Sequence, residues 1–154
     1  MLRLEFQLCG AGWAELTVVS DERTLTHGVS DTTDVLGDLG AALADLATGG
    51  DRAEILVLDD DGDQHRWVLE RAGHDGLHLE IFHSEGCTEL EPGRPQRLVF
   101  TAHGSLQGAA RSWADCLAAI ARTHGIAGYE TMWGAHPFPR EPLETLQRRY
   151  GSLR

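Results

Sequence analysis

Two apolar rhythms alternate along this chain, and their order leaves few folds open. Leu2, Leu4, Phe6 and Leu8 are separated by Arg3, Glu5 and Gln7, the period of a strand with one buried face. Gly10-Ala11-Gly12 follows. A three-residue loop there pairs Leu8 with Ala14, Phe6 with Leu16 and Leu4 with Val18, keeping apolar partners on one face, whereas a two-residue loop breaks the match. A further turn at residues 20–23 leads into a short third strand, Thr24-Leu25-Thr26-His27, rich in β-branched residues. Between residues 33 and 49 the rhythm becomes helical, with Val35, Leu36, Leu39, Ala42, Leu43 and Leu46 on one stripe. Asp31 or Thr32 is expected to cap this helix, and Gly49-Gly50 to end it. Gly37 and Gly40 inside it each cost up to about 1 kcal/mol relative to alanine, which we read as a sign of close packing on the sheet.

Four more strands follow. Residues 53–59 and 64–71 flank Asp60-Asp61-Gly62-Asp63, and a type I′ turn centred on Asp61-Gly62 sets Leu58 opposite His65 and Leu56 opposite Trp67. Leu77, Leu79 and Ile81 alternate with His78 and Glu80. Beyond a polar loop over residues 84–95, Leu98, Phe100 and Ala102 mark the last strand. A second helix starts after Ser105, with Leu106, Ala109, Ala110, Trp113, Cys116, Leu117 and Ile120 on its stripe and a left-handed cap expected at Gly125. A short C-terminal helix is expected near Pro142. The sequence therefore predicts a single α+β domain over residues 1–154. Its core is an antiparallel meander sheet of six or seven strands in the order βββ-α-ββββ-α. Two main helices pack on one face, and residues 126–154 form an appendage folded back through Trp133 and Phe138.

The charge balance narrows the function. The chain has 154 residues, with 13 basic residues, all arginine, against 24 acidic ones, a net charge of −11. At 42% hydrophobic residues it can bury a continuous core without disulfides or a metal. Nucleic acid is not an expected partner, because backbone binding draws its free energy from basic side chains displacing counterions. No apolar run is long enough to span a bilayer, and the first residues lack a secretory layout. The expected location is the cytoplasm, with Cys9, Cys87 and Cys116 as reduced thiols.

Catalytic chemistry finds no local motif. Without lysine there is neither a lysine Schiff base nor a phosphate loop of the Walker type. No nucleophile elbow is present. The run Asp59-Asp60-Asp61-Gly62-Asp63 does not fit a calcium loop, since Val57 and Val68 would fill its first and twelfth positions. It reads as a hairpin tip whose carboxylates are open to a basic partner. The eight histidines have no zinc-site spacing. His83 and Cys87 stand four apart but straddle a strand end, so no metal or other cofactor is expected. His65 is expected to be half-buried and hydrogen-bonded.

Gly128-Tyr129-Glu130-Thr131-Met132-Trp133 followed by His136-Pro137-Phe138-Pro139, together with Gly10-Ala11-Gly12-Trp13, resembles a group of small acidic bacterial proteins of similar length with no assigned function. That resemblance implies no catalytic residues. From the residues themselves the leading expectation is a non-enzymatic acidic module that binds a basic protein, like immunity proteins in overall character only, through Asp59, Asp60, Asp61 and Asp63. A second copy of the chain is the other candidate partner, because Ile55, Val57 and Val68 are expected on the sheet face opposite Leu56, Leu58 and Trp67. The alternative is a small-molecule-binding protein or minor enzyme with a pocket between sheet and helices that uses His65, Glu80 or His103.

Overall fold

The computed structural model describes residues 1–86, 95–134 and 136–151. The element order is β1 (Leu2–Gly10), β2 (Trp13–Ser20), β3 (Thr24–Ser30), α1 (Val35–Ala47), β4 (Arg52–Leu58), β5 (Gln64–Ala72), β6 (Gly76–Ser84), β7 (Arg97–Ser105), α2 (Leu106–Trp133) and α3 (Arg140–Tyr150). This is the α+β arrangement that the two rhythms predict. All seven strands are antiparallel to their neighbours, and they hydrogen-bond as a β1-β2-β3 ladder and a β4-β5-β6-β7 ladder. The bridge Val29↔Asp59 joins β3 to the end of β4. At the opposite seam Gly104 lies so close to β1 that a Cβ there would meet the Leu2 Cβ at 2.3 Å, so glycine is what lets β7 approach.

The first hairpin has the expected register: Leu4↔Val18, Phe6↔Leu16 and Leu8↔Ala14. A bulge between Leu8 and Gly10 absorbs the odd residue, and Gly10, Ala11 and Gly12 all take positive φ, at 97°, 54° and 77°. Two glycines adopt such angles at little cost, which allows the chain to reverse here.

The second hairpin departs from expectation by one residue. Leu58 pairs with Gln64, Val57 with His65 and Ile55 with Trp67, so the loop holds five residues. Because side chains alternate in facing, the slip turns β4 over relative to β5, while His65 and Trp67 keep the inward facing expected of them. Ile55, Val57, His65 and Trp67 share the inner face, and Leu56, Leu58 and Val68 lie on the outer one. On the outer face Val68 is only 3% exposed, while Leu98 of β7 is 47% exposed. Beside Val68, Arg66 stacks on Phe82 at 4.6 Å, donates to Gln96 and pairs with Glu54.

The helices cover the ladders from one side, α1 lying against β4 and α2 along β1. β1 is an edge strand, and α2 satisfies part of that edge: the Leu4 N–H donates to Ser112 Oγ at 2.9 Å, which leaves less unpaired backbone exposed. Asp34, and not Asp31 or Thr32, caps α1, accepting from the Gly37 N–H. Gly40 makes room for other helices and not for the sheet, since a Cβ there would sit 3.2 Å from Pro142 of α3 and 3.5 Å from Trp113 of α2. Gly125 breaks α2 at φ 69°, ψ 169°, but a second helical segment continues to Trp133, so the start of the expected appendage is helical. Tyr129 and Trp133 are fully buried. Phe6 meets Trp113 and Trp133 edge-on at 5.8 and 5.6 Å. The tail is thus part of the core. Among the described residues Cys9 and Cys116 are free thiols, and Cys87 lies outside them.

Candidate functional site

The acidic run at the β4–β5 tip divides into two structural and two exposed carboxylates. Asp59 winds the loop: its Oδ1 accepts from the Asp61 and Asp63 N–H groups, both at 2.9 Å, while its own N–H donates to the Asp63 carbonyl at 3.0 Å. Gly62 completes the bend at φ 80°. These bonds hold five residues where a two-residue turn was expected, and they cause the register slip. The Asp60 N–H donates to the Gly28 carbonyl at 3.1 Å, which pins the tip to β3. Asp60 and Asp61 are exposed.

The remaining oxygens turn toward histidines. His65 Nε2 lies 2.7 Å from Asp59 Oδ2, with both side chains more than nine-tenths buried. His83 Nε2 lies 2.9 Å from Asp63 Oδ2, and the other oxygen of Asp63 accepts from the Gly86 N–H. That backbone bond, reinforced by His83, holds the Asp63 carboxyl below the usual carboxylate range. His65 and His83 are direct partners across β5 and β6, with ring centroids 5.0 Å apart. On the other side of His65, at 4.6 Å, sits His27 of β3, which also meets the edge of Trp67. Burial, helped by His65 and opposed by Asp59, pulls His27 down to about 4, so its imidazole is neutral at pH 7. Two ring nitrogens, His27 Nε2 and His65 Nδ1, are buried without a hydrogen-bond partner.

His65 is therefore buried and hydrogen-bonded, close to expectation, but the histidines are focused and not scattered. Sequence reasoning missed His27 and His83 as its neighbours. The signal for His83 was present, because correct pairing of β5 with β6 sets it directly opposite His65. The contribution of His27 depends on how the two ladders pack, which no local spacing encodes.

The expected pocket residues do not meet. Glu80 and His103 lie on the outer face, with Glu80 paired to Val68 and Thr101. His103 stacks on His78 at 4.2 Å with rings nearly parallel. His65 is on the inner face. A recess of about 680 Å³ opens instead between the end of α1, the β5–β6 turn and the facing ends of α2 and α3, and Arg71, His74, Gln107, Arg149 and Tyr150 are among its walls. The amide end of α2 beside it is already occupied, since Asp75 Oδ1 accepts from the Gln107 N–H at 2.9 Å and the Asp75 carbonyl from the Leu106 N–H at 2.7 Å.

A His–Asp pair serves as a general base when the free ring nitrogen reaches a substrate proton. Here the other ring nitrogen of His65 is buried without a hydrogen-bond partner. Among the described residues no helix is long and apolar enough to cross a membrane. No protein-family model, curated protein or solved structure matches this chain.

Proposed function

We propose that this protein acts by binding another protein, one with a basic surface, through the β4–β5 tip. The supporting observation is the division of labour in the acidic run. Asp59 and Asp63 are tied into the histidine network, which stiffens the loop, while Asp60 and Asp61 project from it on a chain of charge −11. A rigid, charged tip loses little conformational freedom on binding, and like-signed surroundings speed encounter with an oppositely charged partner. Asp60→Asn/Asp61→Asn should weaken capture of the partner by roughly tenfold or more at low salt and leave thermal stability unchanged, and high salt should weaken the unaltered protein similarly. Partner binding that ignores both the double substitution and salt overturns this reading.

A second reading rests on the recess. Arg71 and Arg149 line one cavity against the single carboxylate of Asp75, which already bonds to the start of α2, and a small anion such as a phosphate or carboxylate compound suits the two guanidinium groups. Inorganic phosphate and small dicarboxylates should raise the melting temperature, and Arg149→Ala should abolish that rise. No shift with any of these anions, or an undiminished shift in the variant, removes this reading.

A further inference from the structure

We infer that Asp59, His65 and His83 form a binding site for a zinc-class divalent transition metal. One nitrogen of each ring and one carboxylate oxygen lie within 4.8 Å of one another. Ligands around tetrahedral zinc stand about 2.0–2.2 Å from the ion, and hence about 3.4 Å from each other. Separations of at most 4.8 Å must close to that spacing, and the 2.7 Å contact of His65 with Asp59 must open to it. Two imidazoles and a carboxylate form a donor set that zinc accepts, with the fourth position left to water.

The positions of the donors support the same conclusion. Asp59 is at the loop, His65 on β5 and His83 on β6, so three adjacent segments converge rather than one flexible turn. Asp59 is held by two backbone N–H groups, and Asp63 orients His83 from outside the set, as outer partners do for metal-binding histidines. His65 is only 7% exposed, and its Nδ1 has no partner. A buried imidazole nitrogen left unpaired is destabilising, and a metal ion on that atom would supply the partner. His83, with a side chain 15% exposed, leaves an entry path from solvent. The trio Asp59, Asp60 and Asp61 also lies close together, but it offers only carboxylates, two of them exposed on a hairpin tip, and carries no such argument. The site is separate from the exposed Asp60 and Asp61 on which partner binding rests, so either proposal can fail alone.

The test uses the full chain stripped with a chelator and titrated with Zn(II) by calorimetry, then with Co(II) read by its visible absorption. One equivalent of Zn(II) is expected, with Co(II) bands of a four-coordinate site and a melting temperature raised by roughly 5–10 °C at a hundredfold excess over Kd. His83→Gln, which keeps volume at a partly exposed position, should bind at least roughly a hundredfold more weakly while melting near the metal-free temperature of the unaltered protein. His78→Gln, in the histidine pair on the outer face, should bind as before. Equal affinity in the unaltered and His83→Gln proteins, loss of binding in His78→Gln, or no saturable uptake of either ion overturns the assignment.

Discussion

Trp133→Ala should destabilise the fold by about 3–5 kcal/mol and lower the melting temperature by roughly 10 °C. Trp133 closes the second segment of α2 and is fully buried, edge-on to Phe6 of β1. Its indole nitrogen makes no hydrogen bond, so the loss comes from apolar transfer and from the cavity left behind. The surroundings cannot readily collapse into that space. The Gly12 N–H donates to the Met132 carbonyl at 2.9 Å, which locks the β1–β2 turn to the helix end, and Tyr129 is braced edge-on by Phe138 at 5.2 Å. Domains are stable by only about 5–15 kcal/mol, so one such substitution removes a large share. Trp13→Ala is the control. Trp13 is 44% exposed on β2, and its removal should cost well under half as much. Urea denaturation of both variants checks this, and equal losses would show that the tail is not part of the cooperative core.

The first hairpin was legible because only one of its faces is apolar: a slip in register would bury Arg3, Glu5 and Gln7. The β4–β5 hairpin lacks that safeguard. Ile55 and Val57 alternate with Leu56 and Leu58, and Trp67 and Leu69 with Val68, so hydrophobic pattern alone accepts either register. The turn decides, and the Asp-Gly dipeptide points to a two-residue turn. What overrides it is the Asp59 side chain, which satisfies two backbone donors and stretches the loop to five residues. The slip does not account for the histidine cluster, since His65 faces inward in either register and its neighbours come from β6 and β3. With Leu56 and Leu58 placed inward, Ile55 and Val57 faced outward, and neither arrangement of β4 alone indicates that β3 crosses beneath His65. The α1 cap was misplaced for a more local reason. Asp31, Thr32 and Asp34 all suit a cap by type, and only the Gly37 N–H, three residues beyond Asp34, selects among them.

Acid should weaken this fold well before its carboxylates are fully protonated, and His27 should account for about 3 kcal/mol of the loss between pH 7 and pH 4. Its folded pKa lies near 4, against 6.5 for the free side chain, with burial the largest cause. A group whose folded value is depressed in this way stays neutral in the native state while the unfolded chain takes up a proton. The stabilisation is therefore complete above pH 6.5 and declines as pH falls toward 4. Asp63 works in the same direction but in a lower window, below the ordinary carboxylate value, because its folded pKa is lowered by Gly86 and His83. The interval from pH 6.5 to 5 thus separates the imidazole from that carboxylate. Measurements in a chelating buffer keep bound metal out of the comparison. His27→Leu, which cannot titrate and packs against Trp67 and His65, should flatten the urea-midpoint profile across that interval relative to the unaltered protein. Parallel profiles for the two proteins would mean that His27 is protonated in the native state without penalty, and that the buried face between β3 and β5 is open to water.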